Sequence, residues 1–250
     1  MKISKTILLI GAIAISSTTL AFKQGIHEDI TDTVLESIGF DTWSTDEVSD
    51  SNWYTDIFEP RNEAAHADGN KLDEASARLK EKRSKIITSL QSGSRRGALD
   101  RLGEALHTVQ DIVSHSNTID NNFPISKEML FGLSRGTAEC DSENNFAPDG
   151  LVSGYFSLSG LIEGGILASI PVTERMAGNQ CSGMPGDMCC HLDLNKDNDE
   201  QLNGANHLKA KDDATRLTIA FVESLFSEMD REFGEEAEYY KAWLMGKESR

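Results

Sequence analysis

The stretch LDRLGEALHTVQDIVSHSN, residues 99–117, decides how the rest of this chain is interpreted. Its apolar residues recur at intervals of three and four, which is the spacing of one buried face of a helix. These residues are Leu99, Leu102, Leu106, Val109 and Val113. The pattern predicts a helix of about five turns with one face in a protein core.

A second set of residues in this stretch recurs at intervals of four. His107, Asp111 and His115 fall on one stripe of the predicted helix, opposite the leucines. The stripe could be the solvated side of an amphipathic helix. However, no Lys or Arg occurs between Leu102 and Asn117, whereas solvated faces usually include long cations. Because histidine and carboxylate side chains are the ligands that zinc accepts, a metal site is the favoured interpretation.

The composition indicates a folded chain with an export signal. With 250 residues and 38% hydrophobic content, the chain can bury a full core. Residues 1–21 combine two lysines, a short apolar run and a terminal Ala21, as a secretory signal peptide does. A retained anchor is the alternative, but the apolar run is shorter than the roughly 18 residues of a membrane span. We therefore expect a secreted or periplasmic protein with one domain over residues 22–250.

The charge balance limits the partners of the protein. The formal net charge is −17, and removal of the signal peptide takes away two more lysines. This acidity disfavours a stable complex with nucleic acid or with an anionic membrane. It leaves room for a phosphate substrate, since bound divalent ions supply positive charge locally.

The four cysteines are consistent with two disulfides in an exported chain. The neighbours Cys189 and Cys190 are poor partners for each other, so Cys140 and Cys181 are their expected partners. Cys140 can pair with Cys189 and Cys181 with Cys190, or the two pairings can be exchanged.

Further helices are predicted at residues 72–91, 206–229 and 235–245. Residues 40–60 are acidic and contain scattered aromatics, but they show no clear periodicity. No convincing series of strands and turns occurs, so the expected fold class is all-α.

Residues 102–117 resemble the signature helix of the HET-C group, the fungal heterokaryon-incompatibility proteins and their bacterial relatives. Shorter matches follow the same order along the chain. They are residues 27–31, Asn52 with Asp56, residues 66–68, residues 153–156, Cys189 with His191, residues 195–197, and His207 ahead of residues 214–215. That group is similar to the zinc-dependent phospholipases C and the related single-strand nucleases. The resemblance implies a compact all-helical domain of zinc-dependent phospholipase C type with two or three Zn²⁺ ions.

The resemblance also implies a set of metal ligands. They are Phe22, as the first residue of the mature chain, His27, Asp56, His66, His107, Asp111, His115 and His207. Asp111 would bridge two ions. The enzymes carry Glu or Asp four residues after the last histidine, whereas this chain carries Lys211. That difference weakens the case for the third ion.

The expected chemistry is the hydrolysis of phosphodiesters by a metal-activated water. Asp56 is the candidate general base, and Glu104 is the candidate partner that fixes a histidine tautomer. The leading hypothesis is a secreted zinc-dependent phospholipase C-like enzyme that acts on a phospholipid or another phosphodiester, with transient contact at a membrane surface. The alternatives are a single-strand nuclease with the same metal site and a non-catalytic HET-C-like protein for recognition or membrane association.

Overall fold

The computed structural model describes residues 24–120, 122–134, 151–155, 189–190, 194, 196 and 204–248. This part of the chain is mostly helical, as the all-α expectation requires. Its α-helices are α1 (Gln24–Ile38), α2 (Thr42–Phe58), α3 (Leu72–Gln91), α4 (Arg95–Ser114), α5 (Lys127–Gly132), α6 (His207–Phe233) and α7 (Ala237–Met245). Two strands of two residues, β1 (Gly154–Tyr155) and β2 (Cys189–Cys190), pair in parallel, with Gly154 opposite Cys189.

Helix α4 is the predicted central helix, and it packs against α2, α3 and α6. Its five predicted core residues have no exposed surface. Burying a leucine side chain contributes about 2 kcal/mol, so this face anchors the core. The polar stripe is buried as well, because His107 and Asp111 are also fully enclosed and His115 is 1% exposed. The interpretation of the stripe as a solvated face is therefore wrong.

Helix α2 occupies the region in which the sequence showed no periodicity. Asp41 caps its first turn by accepting a hydrogen bond from the Ser44 backbone N–H at 2.7 Å. The buried face of α2 is made mainly of small polar residues, among them Ser49, Asn52 and Asp56. An apolar stripe is consequently absent, and hydrophobic periodicity could not indicate this helix.

The other predicted helices are confirmed with small differences at their ends. Helix α3 has the predicted bounds, and one of its faces lies in the core, since Leu79, Ile86 and Leu90 are fully buried. Helix α6 continues four residues beyond its predicted end, and α7 begins after a turn of 3-10 helix at Gly234–Glu236.

Residues 151–155 connect the end of α4 to the loop between α2 and α3. Val152 exchanges hydrogen bonds with Asn117, and the Gly154 N–H donates to the His115 carbonyl at 3.0 Å. On the other side, the Gly69 N–H donates to the Gly154 carbonyl at 2.7 Å. This segment holds the loop that carries His66 against the C-terminal end of α4.

Several sequence predictions lie outside the described residues. These include the signal peptide at residues 1–21 and the N-terminal ligand Phe22. Cys189 is buried and is not a free thiol, and the pairing of the cysteines stays a prediction. Within the described segments, no helix is both long enough and apolar enough to cross a membrane.

Gly103 sets the distance between α4 and α2. A Cβ at this position would lie 2.3 Å from the Val48 carbonyl oxygen and 2.8 Å from the Asn52 backbone nitrogen. We expect Gly103→Ala to lower the free energy of unfolding by about 1–3 kcal/mol, because backbone atoms cannot move aside as a side chain can. Chemical denaturation measures this change.

The matched control is Gly132→Ala in α5, where no atom lies within 4 Å of the added methyl group. It should leave stability nearly unchanged. Equal stability of the two variants would contradict the close approach of α2 and α4.

Candidate metal centre

Five of the predicted ligands come together around the middle of α4. His107 and Asp111 lie one turn apart on α4, and His27 comes from the first turns of α1. Asp56 lies near the end of α2, and His66 belongs to the loop that follows it. The two aspartates and three histidines are all buried, with His66, at 7% exposure, the most accessible.

Three ligand atoms form a tight triangle at one side of the cluster. His66 Nδ1, His107 Nε2 and Asp111 Oδ2 lie 3.0 Å from one another. A zinc ion about 2.0–2.1 Å from each of three ligands in tetrahedral geometry holds those ligands about 3.3–3.4 Å apart. The triangle is therefore close in size to one face of a metal coordination shell.

A second group of possible ligands shares His107 with the first. Ligand atoms of His27, Asp56 and His107 all lie within 4.8 Å of one another. Asp111 turns its other oxygen, Oδ1, toward His27 Nε2 at 3.2 Å. Since its two oxygens face different histidines, the Asp111 carboxylate would bridge two ions if ions were bound to both groups.

The outer nitrogen of each histidine ring contacts an oxygen. His107 Nδ1 lies 3.0 Å from Asn52 Oδ1, and His66 Nε2 lies 3.2 Å from the Glu59 carbonyl oxygen. His27 Nδ1 lies 2.5 Å from Gln110 Oε1. When these outer nitrogens carry the ring protons and donate them, each neutral imidazole turns a lone pair toward the cluster, as a metal ligand must.

Asp56 adds a carboxylate that lacks a hydrogen-bond donor. Both of its oxygens are buried and have no hydrogen-bond partner within the described segments. Its Oδ1 lies 3.5 Å from His107 Nε2 and 4.0 Å from His66 Nδ1. Burying an unpaired carboxylate is costly, and a cation among these atoms would remove that cost. The donor set thus fits one or more divalent ions.

Charge compensation without an ion has to come from protons. Burial opposes the charged form of His27, but attraction and hydrogen bonding to Asp111 outweigh it and raise the pKa of His27 to about 9. The pKa of Asp111 is held well below its usual range, because the surrounding histidines outweigh its burial. Burial lowers the pKa of His107 and raises the pKa of Asp56. His107 is therefore neutral, which is the form in which an imidazole binds a metal ion.

The remaining predicted ligands lie elsewhere. His115 ends α4 next to the cluster, where its Nδ1 lies 3.1 Å from the His66 carbonyl oxygen and 3.2 Å from Asp68 Oδ1. His207 begins α6, and its Nδ1 lies 2.7 Å from the Lys196 carbonyl oxygen. Neither belongs to the two groups of described residues that could hold an ion.

Glu104 does not have the predicted role. Its carboxylate forms ion pairs with Lys82 and with Arg101, the latter at 2.6 Å. These cations keep the pKa of Glu104 below its usual range despite burial. The side chain falls on the part of α4 that faces α3, so no described histidine ring is oriented by it.

Asn52 and Gln110 orient two of the rings, and neither role was predicted from the sequence. Asn52 precedes Asp56 by one helical turn, and Gln110 directly precedes Asp111. The spacing of Asn52 from Asp56 was the available signal, since both then share the buried face of α2. Amide side chains are too common for their type alone to indicate a metal site.

Comparison with known proteins corrects the resemblance inferred from the sequence. The family model that matches is the VWA7 N-terminal domain, over residues 24–132. The HET-C and zinc-dependent phospholipase C assignment is therefore wrong. The match covers less than half of the chain but includes α1 to α5, and with them all five clustered ligands. Neither the curated proteins nor the solved structures contain a significant match.

The His27 pKa predicts how the stability of the metal-free protein depends on pH. Its folded-state pKa of about 9 exceeds the pKa of 6.5 of a solvent-exposed imidazole, so protonation of His27 stabilises the folded chain. This contribution is complete below pH 6.5 and is lost as the pH rises through 9. We expect the free energy of unfolding, measured by urea denaturation with a chelator, to fall by a few kcal/mol across this range.

The comparison variant is His27→Gln, which lacks the titrating ring. Its stability should depend less on pH than that of the wild type over the same interval. The same decline in both proteins would show that His27 is not the group responsible.

Proposed function

We propose that this chain is a metal-dependent hydrolase of phosphodiesters whose active centre holds at least two divalent ions, with zinc as the expected metal. The observation that carries the proposal is the convergence of histidine nitrogens and carboxylate oxygens around Asp56, both of whose buried oxygens have no hydrogen-bond partner among the described residues. Three histidines and two aspartates are typical of catalytic zinc, whereas structural zinc sites are rich in cysteine. The bridging orientation of Asp111 supports a centre with more than one ion.

In the proposed centre, most of the clustered residues would bind metal ions, and one would accept a proton from water. His66, His107 and Asp111 would hold one ion, and His27 with the second oxygen of Asp111 would begin the site for another. Ions bound there would lower the pKa of a coordinated water toward 7 and withdraw charge from the phosphate oxygens.

Asp56 is the residue that we propose accepts the proton of such a water. Its oxygens have no described hydrogen-bond donor, and burial raises its pKa toward neutrality. A general base works best when its pKa lies near the working pH. It is then deprotonated in much of the protein and still binds the proton strongly enough to take it from water. Asp56 is therefore the proposed general base, and Glu104, which is paired with Lys82 and Arg101, has no part in the proposed chemistry.

A structural metal centre is the second candidate, and the burial of the cluster favours it. Catalytic sites keep a coordination position open to solvent, while the ligands here are 0–7% exposed. Both candidates predict bound metal. Only the hydrolase predicts turnover.

Metal analysis and hydrolysis assays test the proposal together. We expect the purified wild type to contain about two zinc ions and to hydrolyse bis(p-nitrophenyl) phosphate, with loss of activity in chelator and recovery on adding zinc. Phosphatidylcholine vesicles and single-stranded DNA, assayed in parallel, identify the substrate class. Asp111→Asn should lose both metal and about 100-fold or more of the activity.

The control is Asp212→Asn on α6, which removes a carboxylate that is 72% exposed and pairs with Arg216. It should retain the metal content and activity of the wild type. Bound zinc without hydrolysis of any of the three substrates would support the structural centre, and a folded protein without zinc would overturn both candidates.

A further inference from the structure

Gln110 joins three helices behind the proposed ligands. It is fully buried on α4, and its amide contacts side chains from α1, α2 and α6. Its Oε1 lies 2.5 Å from His27 Nδ1 and 3.1 Å from Asn52 Nδ2. Its Nε2 lies 3.1 Å from Thr31 Oγ1 and 3.5 Å from Thr218 Oγ1. One amide therefore touches a ligand histidine directly and a second one through Asn52.

Thr218 determines which way this amide points. The Thr218 hydroxyl donates its single hydrogen to the Ala214 carbonyl at 2.8 Å, so it can only accept from Gln110. The amide nitrogen must then face Thr218. The amide oxygen consequently faces His27 and Asn52, and His27 Nδ1 has to be the donor.

The same constraint passes through Asn52 to His107. Because Gln110 Oε1 only accepts, Asn52 presents its NH₂ group to it and to Thr31 Oγ1 at 3.0 Å. Asn52 Oδ1 then faces His107 Nδ1 and favours the ring proton there, against the attraction of Asp111 Oδ2, which lies 3.0 Å from Nε2. Reversal of both amides would leave the Gln110 oxygen against the Thr218 lone pairs and would move the His107 proton to Nε2.

We propose that Gln110, oriented by Thr218, is the positioning residue that keeps a proton on Nδ1 of both His27 and His107, so that each ring turns its Nε2 toward the ion. The inference rests on the proposed metal centre and adds the group that prepares its ligands. Gln110 does not set the proton position of His66. The outer nitrogen of that ring contacts the Glu59 carbonyl oxygen, which is a backbone acceptor and cannot exchange places with a donor as an amide side chain can.

The test measures the His107 tautomer directly. Correlations between ring nitrogens and ring hydrogens by NMR in the metal-free protein should place the His107 proton on Nδ1 in the wild type. Thr218→Val removes the accepting hydroxyl at nearly the same volume, and we expect a substantial population with the proton on Nε2. Thr218→Ser keeps the hydroxyl and should behave as the wild type.

Zinc affinity provides the second measurement. Gln110→Met removes the shared amide, and we expect the affinity for Zn²⁺ to fall about 10- to 100-fold, as for other groups that orient metal ligands. Thr218→Val should weaken zinc binding in the same direction, while Thr218→Ser should not. Thermal melts of the metal-free variants show whether each one is folded.

A wild-type His107 protonated on Nε2, or a tautomer unchanged in Thr218→Val, would overturn the inference. If Gln110→Met does not fold, the comparison of Thr218→Val with Thr218→Ser still tests the inference. Absence of zinc binding by the wild type would refute the metal centre alone, because the tautomers are measured without metal.

Discussion

The burial of the Asp111 carboxylate among three imidazoles is the constraint on which the rest of the structure depends. A charge enclosed in the middle of α4 needs compensation within a few ångströms, and His27, His66 and His107 are the groups that surround it. His27 comes from α1, His66 from the loop after α2, and His107 from the preceding turn of α4. The helices must therefore meet closely at this level, which explains a glycine at position 103 and small polar residues on the inner face of α2.

Apolar periodicity predicted those helices whose buried face is hydrophobic. Helices α3, α4 and α6 are of this kind, and the predicted bounds of α3 were met at both ends. Helix α2 is different because its buried face is built to satisfy hydrogen bonds, with Asn52 and Asp56 directed at histidines. A polar face that is buried looks, in sequence, the same as a polar face in water. Only its packing against α4 distinguishes the two.

The spacing of His107, Asp111 and His115 indicated a site, because residues four apart on a helix share a face. Local spacing could not show that His115 turns to the His66 carbonyl and Asp68. It also could not show which distant groups complete the cluster, since His27 and His66 are brought in by the tertiary fold. The family resemblance supplied those residues and was itself incorrect, so their grouping in space depends on the structure alone.

Helix α6 lies beyond residues 24–132, yet it completes the core that those residues begin. Leu217, Phe221 and Leu225 are fully buried in the cluster that contains the leucines of α4. A chain truncated after residue 132 would expose this apolar surface of α4 to water, together with the polar amide of Gln110. In this protein, the segment similar to the VWA7 N-terminal domain therefore depends on α6 to cover part of its apolar surface, and expression of that segment alone is expected to give an aggregation-prone fragment.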